Sequence, residues 1–249
     1  MRTIPSIVIV IIAMLITGCA TTKNRVIALG MIHSGHNTSD VYSLDVLRDA
    51  IIEIDPDLVL TEIPPSRFFA ARDEFAKTGT ITEPRVSRFP EYVDVLFPLT
   101  KAMDFDIYPC AGWTKEMADA RNARLSQWAT NRPDETAEIE AAQERVEAIM
   151  SSEGDPNDPL YIHTDHYDQL VKQAIEPYNR LFNDDLGPGG WDNINIAHYG
   201  LIHNALDRHS GKGETILITF GAWHKYWFIE QLKLRDDIEL VDPRVFFEQ

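Results

Sequence analysis

Apolar and polar positions along this chain switch between two periods. Residues 25 to 29 form a short apolar run closed by Gly30, which predicts a first strand. From residue 41 to 54, Leu44, Leu47, Ile51 and Ile54 recur at helical spacing and stop at Asp55-Pro56, so a helix is expected there. Leu58-Val59-Leu60 is a second buried strand, ending at Thr61-Glu62. Strand, helix and strand within about forty residues make a βαβ unit, whose strands lie parallel with a right-handed crossover.

The middle of the chain reads as mostly helical. Helices are expected over residues 91–103, 115–131, 134–151 and 165–182, with a short third strand at 106–108. Glu135, Glu138, Glu140, Glu144 and Glu147 are a solvated helix face. Residues 184–190, Asp-Asp-Leu-Gly-Pro-Gly-Gly, read as a loop, and residues 187–190 together with the helical segment before them suit a lid. Asp192 can cap a helix running to about residue 209. A strongly apolar strand at 215–220, a helix over 223–234 and a last strand at 238–241 complete the pattern. These elements predict an α/β domain over residues 26–249: a mainly parallel central sheet, helices on both faces, and a helical insertion at about 80–190.

The first residues read as a targeting segment. Arg2 precedes an almost wholly apolar run from residue 4 to 16, about 13 residues against the roughly 20 needed to cross a bilayer as a helix. Leu15-Ile16-Thr17-Gly18-Cys19 resembles the lipobox cut by lipoprotein signal peptidase. The expectation is a signal peptide over 1–18, lipid on Cys19, a tether over 19–25, and membrane attachment through that lipid. Ala20, standing where an Asp would retain the protein at the inner membrane, resembles the sorting pattern for the outer membrane, facing the periplasm. Cys110 is then the only cysteine without lipid, so no internal disulfide can form. The net charge of −16 argues against nucleic acid as a partner, because phosphate backbones are bound through basic surfaces.

Candidate chemistry gathers where strands end. The first strand runs into Gly30-Met31-Ile32-His33 and the late one into Gly221-Ala222-Trp223-His224. Gly-x-x-His alone says little, since Gly200-Leu201-Ile202-His203 repeats it inside an expected helix. In an open α/β sheet, however, ligands bind along the rim formed by the carboxyl ends of the strands. Glu62 ends the strand placed parallel to the first, hence on that rim. Taken singly, each of the three is an ordinary loop residue or cap. Together, His33, Glu62 and His224 form a metal or acid–base constellation. His36 is a further ligand candidate on the same short loop as His33. His163-Thr164-Asp165-His166 reads as a surface helix start, and His198, His203 and His209 are spaced so that they do not stack on one helix face. No Gly-x-Ser-x-Gly elbow and no Cys-x-x-Cys-His motif is present.

The paired Gly-x-x-His motifs, with a glutamate closing the second strand and the Pro64-Pro65-Ser66-Arg67 turn after it, resemble the superfamily of TraB, GumN and Tiki proteins, erythromycin esterases and ChaN haem-binding lipoproteins. Residues 80 to 180 carry no matching segment. Where family members have an Arg-Asn pair, this chain has Asp192-Asn193, so Asn193 fits and the arginine is missing. The resemblance implies a lipid-anchored hydrolase acting on a peptide or a small-molecule ester. His33, Glu62 and His224 would hold Mn²⁺, Co²⁺ or Zn²⁺, and Arg67 would steady the oxyanion. In a metal-free version Glu62 orients His33 as general base. The alternative implied by the same resemblance is a haem-binding lipoprotein without catalysis, and a third reading is an inactive scaffold.

Overall fold

The computed structural model describes residues 22–248, so the expected signal peptide and Cys19 lie outside the described residues. Five strands form one parallel sheet: β1 (Asn24–Met31), β2 (Leu58–Thr61), β3 (Asp106–Pro109), β4 (Thr215–Gly221) and β5 (Ile238–Val241), in the order β3-β2-β4-β1-β5. Helices cover both faces, as the alternating pattern predicts. A central parallel strand is apolar on both sides, and successive residues of β1 and β4 divide between two cores. Ile27, Leu29, Met31 and Leu217 face one core, and Val26, Ala28, Ile216, Ile218 and Phe220 face the other. Because β4 lies between β1 and β2, the carboxyl ends of all three strands meet at one place on the rim.

The crossover helix α1 (Leu44–Ile54) starts later than residue 41 because the Ser43 hydroxyl accepts the Val46 N–H and fixes the N-terminus. Helix α2 (Pro65–Thr78) was not expected, although Pro65 at its first turn and Gly79 in the left-handed conformation after it are ordinary start and stop signals. The helix expected at 91–103 is shorter. It is a π-helical turn, Glu91–Leu96, running into α3 (Phe97–Leu99), with the Phe97 N–H reaching back to Tyr92 O. Residues 80–190 are not wholly an insertion, since they include β3, an edge strand paired with β2. The helical excursion lies between β3 and β4 and comprises α4 (Lys115–Asn131), α5 (Pro133–Glu153), α6 (Pro159–Ile162), α7 (Asp165–Leu186) and α8 (Trp191–His209).

The expected loop at 184–190 is corrected. Helix α7 runs through to Leu186, and Gly187–Gly189 forms a single 3₁₀ turn before α8. Tyr178, Phe182 and Leu186 repeat at four-residue spacing and pack with Ile139 of α5, so burial carries the helix up to the breakers. Asn183 and Asn193 then tie the turn down, which leaves no free lid there. At the other end, β1 begins inside the expected tether and Thr22 bridges Lys212. The last helix, α9 (Ala222–Leu232), follows β4 without a connecting loop. Among the described residues no helix is long and apolar enough to cross a membrane.

Candidate functional site

His33 opens a 3₁₀ turn two residues past β1, with φ of 51°, in the left-handed region that few side chains adopt. Its Nδ1 lies 2.6 Å from Oε1 of Glu91, a fully buried carboxylate on the π turn whose other oxygen has no partner. A carboxylate at Nδ1 keeps the proton there and leaves the Nε2 lone pair free. That Nε2 stands 3.7 Å from Glu62 Oε2. Glu62 is held in turn by the Gly221 N–H, which donates to Oε2 at 2.9 Å. The Tyr92 hydroxyl accepts the Glu62 N–H and donates to Thr219 O, clamping the ends of β2 and β4 together. Neighbouring residues of one π turn therefore serve both His33 and Glu62, in keeping with the frequent use of such turns at functional sites.

His224 lies in the first turn of α9, stacked on Trp191 with ring centroids 4.5 Å apart. Its Nδ1 is 2.7 Å from Asn195 Oδ1, and the Asn195 amide nitrogen donates to Trp191 O. The amide oxygen therefore faces the ring, Nδ1 donates, and Nε2 again keeps its lone pair. His33 and His224 line one cavity of about 610 Å³, together with Met150, Tyr167, Trp191 and Trp223. The two imidazoles differ in basicity. Burial opposes protonation of His33, but the hydrogen bond and charge of Glu91, with the charge of Glu62, outweigh it and raise the pKa. Burial dominates at His224 and lowers its pKa, leaving it a neutral partner. Environments that push two like groups apart in this way separate acid–base roles.

Glycine at both strand ends makes the approach possible. A Cβ on Gly30 would meet Ala222 at 3.0 Å, so Gly30 lets α9 start directly against β1. A Cβ on Gly221 would stand 2.8 Å from His33 Nε2 and 3.5 Å from Glu62 Oε2. Each Gly-x-x-His glycine thus clears space for the other strand's end. Gly200, in the third copy, faces open space.

Of the residues expected here, His33 and Glu62 come together, and His224 lines the same cavity as His33. Arg67 does not join them: it pairs with Glu83 at 3.6 Å on α2's outer side. Arg85 is the cation near Glu62, at 3.9 Å, with its guanidinium over Phe89, whose ring packs against His33. His36 is turned into the core, where Nδ1 meets Tyr42 O and Nε2 accepts the Ile32 N–H, so neither nitrogen is left for a ligand. Asn193 donates to Gly187 O and closes the α7–α8 turn, while Asn195 holds His224. His163 is buried rather than at the surface, and its Nε2 accepts the Gly30 N–H. His198 is buried beside His224 and does not line the cavity. Its ring is 5.3 Å from that of His224, its Nδ1 accepts the Gly112 N–H, and its buried Nε2 has no partner.

The donor types suit a borderline divalent cation: two imidazoles with free Nε2 lone pairs and one carboxylate. Their positions do not yet suit it. Among the described residues no three His, Cys, Asp or Glu side chains converge on one ligand point. His224 is fixed by Asn195 and Trp191, and Glu62 by the Gly221 N–H. Comparison with protein-family models, with curated proteins and with solved structures finds no match for this chain.

Proposed function

We propose that this protein is a hydrolase of peptide or small-molecule ester bonds, with His33 as the proton-transfer residue. The observation that carries this reading is the buried Glu91–His33 pair, whose free Nε2 belongs to a ring that keeps 31 % of its surface exposed, in a walled cavity at the sheet rim. Glu91 fixes the tautomer and favours the imidazolium, the part a buried carboxylate plays behind a catalytic histidine. His33 Nε2 takes a proton from water as the water attacks the scissile carbonyl, then returns it to the leaving group. Such general base catalysis contributes about 10²–10⁴-fold. The developing oxyanion faces the start of α9, where Ala222 and Trp223 line the cavity and the first N–H groups have no intrahelical acceptor. Arg85 takes the supporting electrostatic part first expected of Arg67.

The cation implied by the resemblance, Mn²⁺, Co²⁺ or Zn²⁺ on His33, Glu62 and His224, finds no converging ligand set among the described residues, so no step is assigned to it. The lipid anchor on Cys19, with an outer-membrane position facing the periplasm, belongs to the same reading; the intact mass of the mature N-terminus tests it. The activity is tested by turnover of an ester and peptide panel, with and without chelator, in the wild type and in His33→Ala. The expected result is a loss of at least about 10²-fold in the variant. Equal turnover in the two proteins overturns the proposal. Saturable haemin binding with a Soret band, in the absence of turnover, would favour the haem carrier instead.

A further inference from the structure

A second cavity, of about 570 Å³, is lined by α2, α4 and the segment between β2 and β3. Five of its fourteen lining residues are basic: Arg67, Arg85, Arg88, Lys115 and Arg121. Only Glu83 and Asp119 oppose them, so its walls carry a net positive charge on a chain whose overall charge is −16. The opposing carboxylates are largely engaged. One Glu83 oxygen accepts the N–H groups of Arg85 and Val86, and Asp119 pairs with Lys115. Arg88 is exposed and has no partner among the described residues, and Arg121 leans on the Tyr178 ring and hydroxyl. Two helices of more than eight residues also begin at this cavity, α2 at Pro64–Ser66 and α4 at Thr114–Lys115. Their positive ends add to the same field.

Arg85 joins this cavity to the reacting centre, since it lines the wall here and lies 3.9 Å from Glu62. Three guanidiniums beyond the Arg67–Glu83 pair match a planar-faced, multiply charged oxyanion better than a single carboxylate. We infer that the cavity is an anion subsite for a phosphate or diphosphate group, placed one residue away from the hydrolytic centre, so that the substrate is a phosphorylated molecule cleaved at a neighbouring bond. Its role in substrate recognition rests on the hydrolase reading; the binding of the anion does not. Long-range steering toward so acidic a protein is unfavourable, and with a screening length of about 8–10 Å at 0.10–0.15 M salt the attraction must be local.

The test is calorimetric titration of the purified protein with inorganic pyrophosphate and phosphate, with acetate for comparison. One saturable pyrophosphate site is expected, weakening as sodium chloride rises, with acetate at least about tenfold weaker. Arg88→Gln, at an exposed position, and Arg88→Gln/Arg121→Gln should lower pyrophosphate affinity stepwise, by about tenfold or more in the double variant. Arg145→Gln, on the exposed face of α5, should leave it unchanged. Affinity that is the same in all these variants, or equal for acetate, overturns the inference. His33→Ala separates the two proposals: pyrophosphate binding retained with turnover lost supports both. Binding retained alongside unaltered turnover keeps the subsite and removes the hydrolytic centre.

Discussion

Gly221→Ala is the sharpest structural perturbation of the site, because only one thing stands in its way. The residue has φ −47° and ψ 135°, which any L-residue adopts, so the backbone imposes no strain. The new methyl would lie 2.8 Å from His33 Nε2, where ordinary contact starts near 3.4 Å. The ring must therefore shift by about 0.6 Å, and the 2.6 Å bond to Glu91 cannot keep its present geometry. Overpacking of this kind costs about 1–3 kcal/mol. At about 2–4 °C per kcal/mol for a domain of this size, the melting temperature should fall by about 2–12 °C. Catalysis should suffer more than stability: a misplacement of about 1 Å can cost about 10²-fold, so a shift of about 0.6 Å should cost about tenfold or more. Calorimetry, turnover and NMR titration of the His33 ring together read the three effects, and the His33 pKa should shift as its bond to Glu91 is disturbed. Gly200→Ala is the control: the same motif, mid-helix, with nothing near the new methyl, and a stabilisation of up to about 1 kcal/mol expected. Full activity in Gly221→Ala with an unmoved His33 titration would falsify the packing argument.

Stability should fall as the pH drops below about 6.5. Burial lowers the pKa of His36, His163, His198 and His224, with His163 pushed down to about 3. These rings are neutral when folded and take up protons on unfolding, so each steepens the loss by up to about 1.4 kcal/mol per pH unit until its folded pKa is passed. His33 works in the opposite sense: its raised pKa stabilises the fold below pH 6.5, and that contribution is lost as the pH rises through the folded value. Urea unfolding at pH 7.0 and 5.5 measures the balance; equal or higher stability at 5.5 contradicts it. Away from the site, Lys225 of α9 and Asp168 of α7 form a buried ion pair. Lys225→Met should cost about 3–5 kcal/mol by stranding the carboxylate, and adding Asp168→Leu should recover much of it. A single variant as stable as the wild type would show that the pair carries no such coupling.

What could be read from the sequence follows from how far each contact reaches. β1, β2 and β4 are short apolar runs ended by Gly30, Glu62 and Gly221, so their ends were legible, and parallel pairing brought His33 to Glu62. Glu91 was not, because 58 residues separate it from His33 and only the π turn aims it inward. Asn195 was passed over in favour of Asn193, two positions earlier: the choice depends on which face of α8 meets α9, and periodicity alone does not fix it. His198 faces that same interface, whereas Arg67 and Arg85 exchanged places because α2 carries Arg67 away from the rim. The Gly-Pro-Gly-Gly segment misled in the other direction, since an apolar stripe at four-residue spacing extends α7 right up to it.

The central claim is that His33 exchanges a proton with the substrate while Glu91 holds it. The most direct measurement compares the acid limb of kcat/KM against pH with the pKa of the His33 ring followed by NMR, in the wild type and in Glu91→Gln. The account predicts that the two coincide in the wild type, above the ordinary histidine value, and that both shift down together in the variant as activity falls. A His33 titration that moves in Glu91→Gln while rate and pH profile stay as they were would contradict it.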